Sequence, residues 1–211
     1  MGQQEHVFVI AKDKMLKAFD LPGKIPLARD INLEKLSTLL ATGGFIARDR
    51  AELSPTYVQV IPYIFMRYLG AWEHEDTFLA YNRGSKGGEK RLADKWSIGL
   101  GGHINPIDQS CLGTFTLKDL YTAARRELSE ELVTSSVQSF NDLQILGLMY
   151  FDESTVDMVH LAVVMEVSSC DYTTTGMGDN IVEHREATLS ELKELELEKW
   201  SEGVLESFIK P

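Results

Sequence analysis

Cysteine is scarce in this 211-residue chain: Cys111 and Cys170 are the only two, far apart and in no CxxC pair. That excludes a disulfide-stapled scaffold. The N-terminus, MGQQEHVFVIAKDK, has no basic region and only a short apolar run, so the expectation is free thiols in a reducing cytoplasm. No stretch approaches the roughly eighteen apolar residues of a membrane span, which argues against a membrane partner. Positive charge is also short. With 21 Lys and Arg against 32 Asp and Glu, the formal net charge is −11. Such a surface repels polyanions and excludes non-specific nucleic-acid binding as a function class. It leaves room for a small phosphorylated ligand, because a bound cation reverses the local sign. His74 and His184 stand in no ligand spacing with a cysteine or histidine, so no structural zinc is expected. No GxxxxGK[ST] run is present, and there is no internal repeat or low-complexity segment.

Hydrophobic residues make up 44% of the chain, enough for the core of one domain, or of one domain with an added piece. His6 to Ile10 reads as a first strand. Asn32 is placed to cap a helix over Leu33 to Leu40, ended by Gly43-Gly44. Phe45-Ile46 suggests a short strand, and Arg48 to Ser54 is polar. Residues 1–55 read as an N-terminal extension packed on a main domain at 56–211. In the main domain, Tyr57 to Leu69 is β-branched and aromatic and predicts a central strand, with Pro62 marking an edge position or a bulge. Thr77 to Tyr81 is the next strand, joined by a hairpin-like turn. A glycine-rich basic loop with Arg83, Lys86, Lys90 and Arg91 follows. Lys95 to Leu100 predicts a short strand entering Gly101-Gly102. Leu143 to Phe151 and Met158 to Val167 predict two strands, and Ile181 to Thr188 a last one. Ser190 opens a closing helix to about Ile209. Glutamates dominate from Glu183 to Glu206, against Arg185, Lys193 and Lys199, which fits a solvated helix face. Strands, helix, strands, helix is the order of a mixed sheet with helices on both faces, an α+β fold.

The chemistry concentrates between Trp96 and Val133. Thr116 starts a helix there, with Asp119 three residues on as an approximate capping box. Tyr121, Ala124, Leu128 and Leu132 recur at helical spacing and predict a buried stripe. Glu127, Glu130 and Glu131 stand at i, i+3 and i+4, so they share a face, expected to lie largely away from that stripe. Arg126 can pair with Glu130 at i+4. In water, like charges at this spacing cost only about 0.2–0.5 kcal/mol, and a solvated acidic face explains them. In a cleft with an effective dielectric near 20, a close pair repels by roughly 4 kcal/mol and calls for a cation. Several carboxylate oxygens on a rigid frame suit a hard one. The Gly-Gly turn upstream, where backbone can approach a ligand closely, favours the second reading.

This segment resembles the Nudix box: G, five residues, E, seven residues, R-E-U-x-E-E-x-G-U, with U aliphatic. Gly102 matches the opening glycine, and Arg126-Glu127-Leu128-Ser129-Glu130-Glu131 matches REUxEE throughout. Four positions depart. Asp108 replaces the first glutamate, and the loop between Asp108 and Arg126 is ten residues longer than the family's, so Asp119 is a second candidate for that acid. Val133 replaces the glycine after the helix, and Thr134 the closing aliphatic residue. A β-branched residue resists the left-handed cap, so a different helix exit is expected. The run from Arg91 to Asn105 is similar to a Nudix subgroup described as predicted phosphoesterases.

The resemblance implies an α/β/α sandwich and hydrolysis of a nucleoside diphosphate linked to another group, with Mg²⁺ or Mn²⁺. It places Glu127, Glu130 and Glu131 on the metals, one of them activating water, with Arg126 orienting them. Substrate contacts are expected from Gly102, His103, Arg83, Lys90 and Arg91, and an additional acid from Glu183, Asp108 or Asp119. Glu186, Asp152 and Glu153 are further acids in reach of that role. The basic loop is equally well read as a solvated hairpin, His103 as a loop histidine with a structural hydrogen bond, and His160 as a core residue. Two alternatives stand beside hydrolysis. A non-catalytic nucleotide-sugar sensor on this fold can lose the helix glutamates, which are present here. An allylic-diphosphate isomerase needs a cysteine facing the substrate, whereas Cys111 lies in the lengthened loop. A homodimer is compatible with the sequence.

Overall fold

The computed structural model describes residues 4–19, 27–29, 31–70, 75–82, 95–110, 113–134, 143–169, 174–177 and 181–209. The chain is mixed α+β with one large sheet, whose hydrogen-bonded strand order is β12-β5-β4-β10-β9-β2 with β1, β3, β6 and β7 off this path. Those strands are β1 (His6–Ala11), β2 (Leu27–Arg29), β3 (Gly44–Ala47), β4 (Tyr57–Tyr68), β5 (Thr77–Asn82), β6 (Trp96–Ser97), β7 (Gly99–Leu100), β9 (Leu143–Met149), β10 (His160–Ser169) and β12 (Glu183–Thr188). A separate antiparallel pair joins β8 (Leu132–Thr134) to β11 (Thr174–Met177). By contacts the chain divides into two compact units. The first holds Met1–Tyr63, Gly101–Ala124 and Leu146–Val164, and the second holds Ile64–Leu100, Arg125–Ile145 and Met165–Pro211.

In the first unit, β1 pairs antiparallel with β3, from His6 opposite Ala47 to Val9 opposite Gly44. It also pairs with the start of β4, Val9 opposite Gln59. Its residues Val7 to Ile10 are all buried, so side chains on both faces of this strand are covered. Phe8 stacks on Phe115 at 4.0 Å between ring centroids, and Phe45 meets both rings edge-on. The helix α2 (Leu33–Leu40) forms as its cap and spacing predict: the Asn32 side chain accepts from the amides of Glu34 and Lys35, and Leu36, Leu39 and Leu40 are buried. Two helices go unanticipated by the pattern: α1 (Lys12–Ala18), with Met15 as its one buried side chain, and α3 (Arg48–Ala51) in the polar run.

In the second unit, β12 lies antiparallel along β5 in unbroken register from Glu183 opposite Asn82 to Thr188 opposite Thr77. The end of β4 pairs with β5 and with β7. The expected strand over Lys95 to Leu100 is in fact two short ones. At Ile98 the amide leaves the ladder and donates to Ser201 Oγ at 2.9 Å. The expected closing helix is likewise two. Thr188, not Ser190, caps α5 (Leu189–Leu192) in a capping box with Glu191. Leu197 then runs extended and bridges to Trp96, and Glu198 caps α6 (Lys199–Ser207) through the amides of Trp200 and Ser201. The sheet takes the intervening residues because the Trp96 amide donates to the Glu196 carbonyl and the Glu198 amide to that of Trp96. The turn expected over Gly70 to Asp76 and the basic loop at 83–91 fall partly or wholly outside the described residues. Among the described residues no helix is long and apolar enough to cross a membrane.

Candidate active site

The glutamates ride on α4 (Leu117–Glu131). Its start is built as the spacing predicts. Asp119 Oδ2 accepts from the Thr116 amide and hydroxyl, both at 2.8 Å, and the Asp119 amide donates back to Thr116 Oγ1 at 3.4 Å. Asp119 Oδ1 meanwhile accepts from the Ser110 amide at 2.8 Å, tying the lengthened loop to the helix start. Burial pushes the Asp119 carboxyl up, but these hydrogen bonds outweigh it and hold the group below its ordinary value. Asp108 is buried too, and its Oδ2 closes a turn by accepting from the Asn105 amide at 2.8 Å.

The three glutamates do not share one environment. Leu120, Ala123, Ala124 and Leu128 are fully buried, and Glu127 continues that buried face at 7% exposure. The expected separation of the acidic face from the stripe is therefore incomplete. Glu131 is half-buried and Glu130 exposed. One guanidinium nitrogen serves two of them: Arg126 Nη1 donates to Glu127 Oε1 at 2.8 Å and to Glu130 Oε2 at 3.1 Å. Burial pushes the Glu127 carboxyl up, Arg126 offsets part of that, and Glu130 and Glu131 add to it, so the net shift is upward. A buried carboxylate with two more on the next turn and one guanidinium between them is short of positive charge. All the donors are hard oxygens, and that donor set fits Mg²⁺ or Mn²⁺. At the helix exit the chain passes directly into β8, where Leu132 and Val133 pair with Met177 and Gly176.

Gly102 is half-buried at the turn. The demanding position is its neighbour: Gly101 has φ +156°, and a Cβ there would lie 1.9 Å from the Pro62 carbonyl oxygen. Glu183 is exposed on β12 opposite Asn82, and Glu186 accepts from Thr77 Oγ1 at 3.3 Å. Arg83, Lys86, Lys90, Arg91 and Cys111 lie outside the described residues. His103 belongs to the first unit. Its ring stands 5.8 Å from that of His160, and burial, reinforced by Arg48 and His160, pulls it down to about 4, so it is neutral at pH 7. With Glu52 these two histidines form a cluster in the first unit whose ligating atoms lie within 4.8 Å of one another. Sequence reasoning places His160 in the core, where it is, but nothing in the spacing of Glu52, His103 and His160 reveals that they meet.

No family model matches the chain. It is 30% identical over 166 residues to Protein YmaB of Bacillus subtilis (strain 168), a match spanning 78% of this chain and 76% of that one. The crystal structure of Tm1382, described as a candidate Nudix hydrolase, superposes with a TM-score of 0.74 at 25% identity, over 97% of this chain and 98% of its own. A NUDIX hydrolase from Alicyclobacillus acidocaldarius gives a TM-score of 0.53 at 12% identity, over 72% of this chain and 91% of its own. The NUDIX domain of Shewanella oneidensis NrtR, solved with ADP ribose, gives 0.51 at 12% identity, over 70% and 83%.

Proposed function

The chain belongs with YmaB in one family and, by its fold and the motif on α4, to the Nudix superfamily, and on that premise we propose that it is a metal-dependent pyrophosphohydrolase. Its substrate class is a nucleoside diphosphate joined to a second group. The observation that carries the reading is Glu127: a carboxylate buried on the core side of α4, bridged by Arg126 to Glu130 and followed by Glu131. A protein gains nothing in stability from such a group, whereas a cation site does need it.

Glu127, Glu130 and Glu131 would hold Mg²⁺ or Mn²⁺, which draws charge off the phosphates and lowers the pKa of bound water. Arg126 fixes the side chains of Glu127 and Glu130 relative to each other, so that little ordering is left to the reaction. Glu130, the exposed carboxylate of the trio, accepts the proton of the attacking water. Water oxygen bonds to one phosphorus, the bridging P–O bond breaks, and the leaving phosphate departs with the bridging oxygen. Gly102 shapes the turn, and the basic residues Arg83, Lys90 and Arg91 are the proposed phosphate contacts. Asp108 and Asp119 have their oxygens engaged by backbone amides, which favours Glu183 as the additional acid.

The test is a panel of ADP-ribose, dinucleoside polyphosphates and nucleoside triphosphates with Mg²⁺ or Mn²⁺, for the wild type and Glu130→Gln. Wild-type turnover of a diphosphate-linked member is expected, with kcat lower by about a hundredfold or more in Glu130→Gln. Binding without turnover across the panel would make the chain a sensor. Turnover equal in both proteins would overturn the site.

A further inference from the structure

Glu52 after α3, His103 after β7 and His160 at the start of β10 come from three distant segments and meet in the first unit. We propose that they form a second metal site, selective for a transition-metal dication of the zinc class and independent of the carboxylates on α4.

The His160 tautomer carries the argument. Its Nδ1 lies 2.7 Å from the Val156 carbonyl oxygen. A carbonyl only accepts, so Nδ1 holds the proton and Nε2 of the neutral ring presents its lone pair. Metal-bound histidines are held this way, with the far ring N–H on a backbone carbonyl fixing tautomer and ring orientation. Nε2 points to the Gln59 side chain, whose Nε2 lies 3.1 Å away and donates to it.

Gln59 supplies the second observation. It is 1% exposed, and its Oε1 is buried with no hydrogen-bond partner. Buried acceptors are satisfied in folded proteins as a rule, and an orphan points to a missing donor. An ion taking His160 Nε2 displaces the Gln59 amide nitrogen. Rotation of the amide then offers Oε1 to a water in the fourth coordination position. Glu52 is half-exposed, and Arg48 Nε holds its Oε1 at 3.3 Å, which leaves Oε2 for the ion. His103 thereby becomes a metal ligand in place of the phosphate contact its loop position suggests.

Two imidazoles and a carboxylate with a water suit zinc. Mg²⁺ prefers an octahedral shell of oxygen and is poorly served here. A tetrahedral ion with bonds of about 2.0–2.1 Å sets its ligands roughly 3.3 Å apart, so the 4.8 Å limit leaves a gap that rotations of the Glu52 and His103 side chains close.

The experiment titrates Co²⁺, as a spectroscopic stand-in for Zn²⁺, into the chelator-treated full chain in excess Mg²⁺. Its readouts are visible d–d absorption and the Co²⁺ retained after gel filtration. The wild type and Glu130→Gln should bind one equivalent alike. Glu52→Gln and His103→Asn should each weaken binding by about tenfold or more. Glu52 is half-exposed, and far-UV circular dichroism verifies that its variant folds. Failure of the wild type to retain cobalt, or affinity unchanged in both variants, would overturn the proposal. Because no arm reads turnover, these outcomes are distinct from failure of the hydrolase reading.

Discussion

Glu127 lies on the same buried face of α4 as Leu120, Ala123, Ala124 and Leu128, and that charge in place of carbon sets a testable conflict between stability and function. Its folded pKa is raised above the ordinary 4.5, chiefly by burial. An acid shifted upward stabilises the fold while protonated. The contribution is complete below about pH 4.5 and is lost as pH rises through the folded value. Ionising Glu127 in the metal-free protein therefore costs stability, a cost that Arg126 only partly offsets. Glu127→Gln should raise metal-free stability at pH 7 by about 0.5–2 kcal/mol in urea unfolding, a gain that shrinks as pH falls through the raised folded pKa and is gone below about pH 4.5. Mn²⁺ should stabilise the wild type and leave the variant unmoved. A variant less stable than wild type at pH 7 would mean that Arg126 outweighs burial.

Among the elements, α4 and β4 were legible because each is decided locally. Thr116 and Asp119 cap α4, its apolar residues recur with helical period, and Tyr57 to Tyr68 is a run of β-branched and aromatic residues. Where distant groups decide, the pattern misleads. The break in the closing helix depends on Trp96 capturing the backbone of Glu196 and Glu198, and the break in the Lys95–Leu100 strand depends on Ser201. The same holds for the histidine cluster, whose members share no spacing. Gly101 is intermediate: a Gly-Gly turn was visible, but only packing shows that the first glycine is the constrained one. Gly101→Ala should cost about 2–4 kcal/mol, since its Cβ meets the Pro62 carbonyl at 1.9 Å in a backbone conformation few side chains adopt. Gly44→Ala, with nothing within 4 Å of the new carbon, should cost less than about 1 kcal/mol. Equal losses in urea unfolding would refute the steric account.

For the whole molecule, the governing fact is a net charge of −11 against a proposed substrate that is itself an anion. Association of the two is opposed until cations enter, so metal should bind before or together with substrate rather than after it. Ionic strength separates the two steps because it acts on them with opposite sign. Between about 20 and 200 mM monovalent salt, screening shortens from beyond 20 Å to under 10 Å. Attraction of Mn²⁺ to the acidic chain then weakens, while repulsion of a free nucleotide is relieved. Calorimetry with a methylene-bridged analogue of ADP-ribose, which cannot be hydrolysed, should therefore give three results. Binding is at least about tenfold tighter with Mn²⁺ than without. Residual metal-free binding improves as salt rises. Mn²⁺ binding alone declines over the same range. If the analogue binds equally well without metal and weakens with salt, a basic surface such as the Arg83–Arg91 loop governs recognition, and the acidic balance of the chain is irrelevant to it.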